Sequence, residues 1–304
     1  MLDFDFKLDK NENCILIDPD AWVTNNSNLI QKYRMSGRNV ITYMTKVLDI
    51  YAKEECLKGF ISSGDLVFMT RVASEVSQYR HFLGPDKSRK YYTIPIMQVI
   101  GVFQDENISL EALTLLFDKI LYKKVEFESK GLVKDVSDNT TLGEVVKIGF
   151  CKFSNKWEKQ PLKVKTGDLI LVKDNISTEI VIEGETYFAV DESGIVGIFK
   201  DSDDVSLENL EFINETVLMK PYIPEKMSKN SILWTPVMNY EDADYSEIYC
   251  RNQFKVAYLD QNLTAIKKND IILIDRNVTN YVYFNKQKYF VTNGMDYIEG
   301  RRIQ

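Results

Sequence analysis

Side chains that could turn over a substrate are scarce in this chain. The only histidine is His81, set between Arg80 and Phe82. Histidine is the commonest general base and metal ligand, and a lone one on a polar stretch reads as a solvated loop residue. Four cysteines, Cys14, Cys56, Cys151 and Cys250, lie far apart. They form neither a zinc spacing nor a disulfide framework and read as small core fillers. The acidic stretch Glu241-Asp242-Ala243-Asp244 lacks the ligand spacing of a calcium loop. No phosphate-binding glycine loop, dinucleotide fingerprint or nucleophile elbow is present. The sequence therefore predicts no enzyme, no metal and no cofactor.

Composition narrows the partners. The 304 residues hold 38 basic and 45 acidic side chains, a formal charge of −7, with a pI near 5.1. That balance gives no electrostatic footprint for nucleic acid. No run approaches the roughly 20 apolar residues of a membrane span. The opening Met1-Leu2-Asp3-Phe4-Asp5 lacks the pattern of an export signal, so the expected location is cytoplasmic. The length suggests two or three domains.

The elements that would carry a binding site repeat three times. Gly64-Asp65-Leu66-Val67, Gly167-Asp168-Leu169-Ile170 and Asn269-Asp270-Ile271-Ile272 share one pattern, with aspartates 103 and 102 residues apart. Each reads as a tight turn feeding a strand. Asn replaces Gly in the third copy because Asn also visits left-handed conformations. Tyr187-Phe188-Ala189-Val190 and Tyr289-Phe290-Val291-Thr292 each begin 19 residues after the aspartate, and Tyr91-Tyr92-Thr93-Ile94 begins 26 after it. The extra residues are placed in a polar loop, Arg80 to Lys90. Ten residues beyond the tyrosines come Gly101, Gly197 and Glu299. Upstream, Ile108-Ser109-Leu110-Glu111-Ala112-Leu113 and Val205-Ser206-Leu207-Glu208-Asn209-Leu210 match at an offset of 97, as do Ile120-Leu121 and Val217-Leu218. Segments 108–117 and 205–213 are expected as short helices or turns linking the copies, with Ser109 and Ser206 as N-caps. The continuous apolar runs 169–172 and 271–274 suit strands buried on both faces, and Glu183-Gly184-Glu185 reads as a hairpin turn.

The second copy resembles a known family. Lys123-Lys124-Val125-Glu126 leads into a polar stretch and then Leu142-Gly143-Glu144-Val145-Val146-Lys147-Ile148-Gly149. Pro161-Leu162-Lys163-Val164-Lys165-Thr166-Gly167-Asp168-Leu169-Ile170 follows, then Ala189-Val190-Asp191-Glu192-Ser193-Gly194-Ile195-Val196-Gly197-Ile198. This order is similar to the GroES-type co-chaperonins, with their G-E-V strand, P-L-x-V-K-x-G-D-x-V segment and S-E-S-D-I-L-A-I closing strand. The likeness covers about 118–200. The flanking copies share it mainly through internal repetition.

The resemblance implies a mainly all-β chain of three tandem GroES-like small β-barrels with short helical or turn linkers: 1–105, 106–202 and 203–304. It also implies, for each barrel, a loop whose apolar tip docks on a chaperonin, and a roof hairpin. In the second copy the loop is Glu128 to Thr141, with Leu132 and Val133 at its centre. The third copy places Ile232, Leu233 and Trp234 there, and the first Leu29 and Ile30. These seven are the expected partner-binding residues. The plainer reading makes them strand or loop residues that pack at home. The roof hairpin is Phe150 to Pro161, with Trp157 and Lys159 near its tip; the first copy lacks an evident equivalent.

Two uses follow. One is a non-enzymatic, oligomer-forming co-chaperonin-like protein that engages a chaperonin-type ring through apolar loop tips. The other is a structural ring or adaptor subunit of a phage virion, which binds virion proteins. The family's lid is a ring of seven single barrels, and three does not divide seven, so whole chains would tile a different closed assembly. A small-ligand barrel stays open as a third use.

Overall fold

In a computed structural model the described residues are 13–17, 44–69, 81–83, 90–103, 107–125, 142–154, 156–174, 176–201, 204–222, 253–274, 280–285, 287–294 and 298–302. The chain is mainly β, as expected, and its strand pairs are antiparallel. It divides into two compact units. One comprises Met1–Lys124, Glu144–Gly167 and Ser177–Glu192; the other comprises Val125–Gly143, Asp168–Ile176 and Ser193–Gln304. The expected second repeat thus contributes to both. No helix among the described residues is long and apolar enough to cross a membrane.

The first sheet contains β1 (Cys14–Ile17), β2 (Met44–Tyr51), β3 (Leu66–Met69), β4 (His81–Leu83), β5 (Lys90–Pro95), β6 (Val99–Phe103) and β7 (Leu113–Leu115). They lie in the order β4-β5-β1-β2-β3-β6-β7. The second sheet draws on β8 (Lys119–Lys124) and β9 (Leu142–Ile148); a separate hairpin follows, β10 (Lys152–Phe153) and β11 (Lys159–Gln160). The sheet continues with β12 (Leu169–Val172), β13 (Thr178–Ile182), β14 (Glu185–Asp191), β15 (Ile195–Phe199) and β16 (Leu210–Phe212). Its strands run β13-β14-β8-β9 in the first unit and β12-β15-β16 in the second. The third sheet holds β17 (Thr216–Pro221), β18 (Gln253–Leu259), β19 (Ile271–Ile274), β20 (Tyr281–Phe284), β21 (Gln287–Asn293) and β22 (Ile298–Arg302), ordered β20-β21-β17-β18-β19-β22. Each order is linear among the described residues, so hydrogen bonding does not trace the closed barrel that the resemblance implies.

The turn motifs act as their residue types require. Gly64 and Gly167 have φ of 96° and 89°, and Asn269 has 75°. All three sit in the left-handed region that glycine and asparagine tolerate. The N–H groups of Gly64, Gly167 and Asn269 donate to the carbonyls of Val47, Val145 and Val256. The Asp65 and Asp270 carboxylates accept the N–H three residues earlier, from Ser62 and Lys267, at 2.7 Å. The expected hairpin turn at Glu183-Gly184 is present, with φ of 54° and 84°.

The third strand of the first sheet serves two cores by alternation. Along β3, Val67 and Met69 enter the first sheet's own core with Ile15, Ile94 and Val99. Leu66 and Phe68 point the other way. They pack with Leu113 and Leu115 of β7, Leu121 of β8, and Ile180, Ile182 and Tyr187 of β13 and β14. In the second unit Leu171 of β12 packs with Leu210, Leu218, Val282, Phe284 and Tyr289. Double burial accounts for the apolar run 66–69, and in the expected run 169–172 Ile170, Leu171 and Val172 are buried. In β19, Ile272 and Ile274 enter the local core, but Leu273 is 36% exposed.

Several expectations need correction. Segments 108–117 and 205–213 are turns followed by the short strands β7 and β16, with no helix. Their alternating Leu-Thr-Leu and Leu-Glu-Phe suit an added strand better than a helical face. The Ser109 hydroxyl still accepts the Ala112 N–H, at 3.2 Å. His81 opens β4 and pairs with Tyr92 of β5, so it stands in a strand and not in a loop. The third-sheet partner of Leu273 is Gly300 and not Glu299, because this sheet carries one more residue between the tyrosine and that position.

One buried charge is held by the fold. Lys173, 6% exposed, follows β12 and donates from Nζ to the Ser193 carbonyl at 2.8 Å and to Asn293 Oδ1. Burial pulls its pKa from 10.5 down to about 8. Between those values the unfolded chain holds a proton that the folded chain has lost, so stability rises with pH there. Urea unfolding should therefore show stability increasing from pH 8 to pH 10 by about 2 kcal/mol. Lys173→Met should flatten that rise.

Candidate partner-binding site

All seven expected partner-binding residues, Leu29, Ile30, Leu132, Val133, Ile232, Leu233 and Trp234, lie outside the described residues. The structure instead defines where the connections carrying them leave the sheets. In each sheet the connection joins the first strand to the second, which pair antiparallel. Residues 18–43 run from β1 to β2, where Ile17 faces Val47. Residues 126–141 leave beyond Val125, whose N–H donates to the Leu142 carbonyl at 3.0 Å. Residues 223–252 leave beyond Tyr222, whose N–H donates to the Gln253 carbonyl at 3.0 Å. Both ends of each connection are thus held by sheet pairing over apolar side chains: Val47, Leu142 and Phe254 are buried.

Lysines brace two of these exits. Lys123 on β8 pairs with Glu185 and lies 5.1 Å from the centre of the Tyr187 ring. The hydrogen bond it donates to Glu185 holds its pKa above the ordinary lysine value. Lys220 on β17 donates to Gln287 Oε1 at 2.7 Å and lies 5.0 Å from the Tyr289 ring centre. Here the acceptor is neutral, and burial lowers the lysine pKa. Cation–π contact and hydrogen bond together fix a long side chain that would otherwise move freely. The offset of 97 that aligns the two copies already relates Lys123 to Lys220; their role was missed because nothing in the sequence placed the tyrosines beneath them.

The expected roof hairpin exists as β10–β11. Trp157 sits in its turn at φ 62°, and the Ser154 hydroxyl accepts the N–H groups of Lys156 and Glu158. It is not a free excursion. Phe153 and Trp157 pack against the first sheet's core. Phe150 stacks on Phe60 with ring centres 4.4 Å apart, and Lys159 lies 5.9 Å from the Phe60 ring centre. Cys151, also at this junction, is buried, and burial pushes its thiol pKa up. It is no reactive nucleophile. Among the described residues no cluster of potential metal ligands occurs.

The described residues form a mainly β scaffold whose paired strand ends hold the starts and ends of three long connections. Residues 113–199 match the family model of the chaperonin 10 Kd subunit. The chain is 34% identical over 88 residues to the co-chaperonin GroES of Bartonella tribocorum, covering 27% of this chain and 90% of that protein. It is likewise 34% identical over 88 residues to the co-chaperonin GroES of Rickettsia bellii, 27% of this chain and 93% of the relative. With the Aquifex aeolicus co-chaperonin GroES it shares 29% over 92 residues, 28% of this chain and 75% of the relative. The chain belongs to the GroES co-chaperonin family, a non-enzymatic one. These relatives lend nothing to the virion reading.

The contacts around Phe60 make a specific demand. Phe60→Ala removes the ring on which the hairpin stacks and should cost about 1–3 kcal/mol. Hydrogen exchange should speed up across Lys152–Gln160 and stay unchanged in β19. Equal protection of the hairpin in both proteins would show that Phe60 does not hold it.

Proposed function

We propose that this chain is an oligomer-forming co-chaperonin-like protein that binds a chaperonin-type ring through apolar tips on the three long connections. The single observation that carries this reading is positional. The apolar groups at 29–30, 132–133 and 232–234 fall, in all three sheets, on the connection between the first and second strands. The chain is read as three repeats, 1–105, 106–202 and 203–304, each offering one tip. A few apolar side chains, each worth about 1.5–3 kcal/mol when fully buried, set against the ordering of a long connection, give a reversible contact. Multiple tips on one chain add avidity without new contacts.

The test is capture of a purified double-ring chaperonin by the full chain, with Leu132→Asp and Ile232→Asp combined. The wild type should retain the ring. The double variant should lose at least ~10-fold in affinity with its unfolding midpoint unchanged. A wild type that captures no chaperonin would remove the reading.

A further inference from the structure

The second and third sheets place different chemistry on one strand pair. In the second, Asp191 of β14 faces Lys119 of β8, and the lysine donates to its carboxylate. The offsets of 102 and 97 that align the copies carry these residues onto Asn293 of β21 and Thr216 of β17, which face each other in the same way. The third sheet has thus exchanged an ion pair for two neutral side chains. A lysine still reaches the position, from elsewhere in the chain: Lys173, the residue after β12, donates to Asn293 Oδ1.

An amide is a poor structural partner for this lysine. Lys173 is 6% exposed. Among the described residues its Nζ meets neutral oxygens, Asn293 Oδ1 and the Ser193 carbonyl at 2.8 Å. A buried charge is costly unless an opposite charge pairs with it, and aspartate at 293 would supply one. Asparagine instead supplies an acyl carbon with ammonia as its leaving group.

That acyl carbon is held in place. Asn293 Nδ2 donates to the Asn214 carbonyl at 3.0 Å and to Thr216 Oγ1 at 3.3 Å. With Oδ1 engaged by Lys173, every polar atom of the carboxamide is fixed. Cγ lies one C=O bond, about 1.23 Å, beyond the oxygen that the amine touches. The amine is also ready to react: burial brings its pKa to about 8, so a neutral fraction with a free lone pair exists near that pH. The competing nucleophile is restrained. The Gly294 nitrogen would close a succinimide on the same Cγ, but its N–H donates to the Glu215 carbonyl at 3.0 Å.

We propose that Lys173 and Asn293 join in an intramolecular isopeptide bond. The Nζ lone pair attacks Cγ, the Cγ–Nδ2 bond breaks, and the proton lost by Nζ leaves with Nδ2 as ammonia. Atoms and charge balance without oxidant, metal or cofactor. The product ties the end of β12 to β21 and closes a covalent loop across a sequence separation of 120. Such a closure restricts the unfolded chain. It needs no partner protein, so it stands or falls apart from the chaperonin reading.

The test is intact mass and peptide mapping of the purified full chain, fresh and after incubation in alkaline buffer. The wild type should weigh one ammonia less than its sequence requires. Tryptic digestion should yield one branched peptide that carries both residues. Lys173→Arg and Asn293→Ala should each keep the full mass of their own sequence, with circular dichroism confirming the fold. The wild-type mass and the branched peptide decide the matter even where a variant fails to fold. The crosslinked chain should also lose the rise of stability with pH that free Lys173 confers, because an amide nitrogen binds no proton. A wild type that keeps its full mass after incubation would overturn the proposal. So would an ammonia loss that persists in Lys173→Arg, with residues 173 and 293 on separate peptides, as a succinimide would give.

Discussion

Double burial of the third strand is the constraint on which the rest of the structure depends. A strand buried on one face alternates apolar and polar residues; one buried on both cannot. Leu66 to Met69 are all fully buried, Val67 and Met69 in one core and Leu66 and Phe68 in the other. The compact units therefore both draw on residues 106–202, since each gathers a core shared between neighbouring sheets. Linkers that might have been passive become structural in the same way: β7 and β16 close the shared cores from their rims.

Each long connection begins and ends on a hydrogen-bonded strand pair, and Lys123 and Lys220 hold the sheet beside two of those exits. The hairpin β10–β11 is used differently. Phe150, Phe153 and Trp157 bring it onto the first sheet's core and Phe60, so here a surface excursion ties the first unit together.

Much of the fold was legible in the sequence. The Gly-Asp and Asn-Asp turns, the Glu183-Gly184 hairpin and the buried run 169–172 are local consequences of residue type, and local physics is what a sequence displays; the run 271–274 departs from it at Leu273. The seventh strand was not legible. Three residues of alternation, Leu113 to Leu115, carry too little periodicity to be told from a turn, and pairing with β6 decides the matter. His81 was misread because a polar neighbourhood does not reveal that Phe82 faces Tyr91 across a hairpin. The candidate site was legible only as positions on the chain: Leu132 and its counterparts follow from family likeness, whereas the braced exits needed the pairing of strands remote in sequence.

The shared cores are tested most directly by truncating one register position in all three sheets, Phe68, Leu171 and Leu273, to alanine and measuring equilibrium unfolding. The account predicts a loss of about 3–5 kcal/mol for Phe68→Ala and about 2–5 kcal/mol for Leu171→Ala, against under about 1 kcal/mol for Leu273→Ala. Equal losses at all three positions would contradict it, because they would mean that the neighbouring sheet contributes nothing to burying the outer face of the third strand.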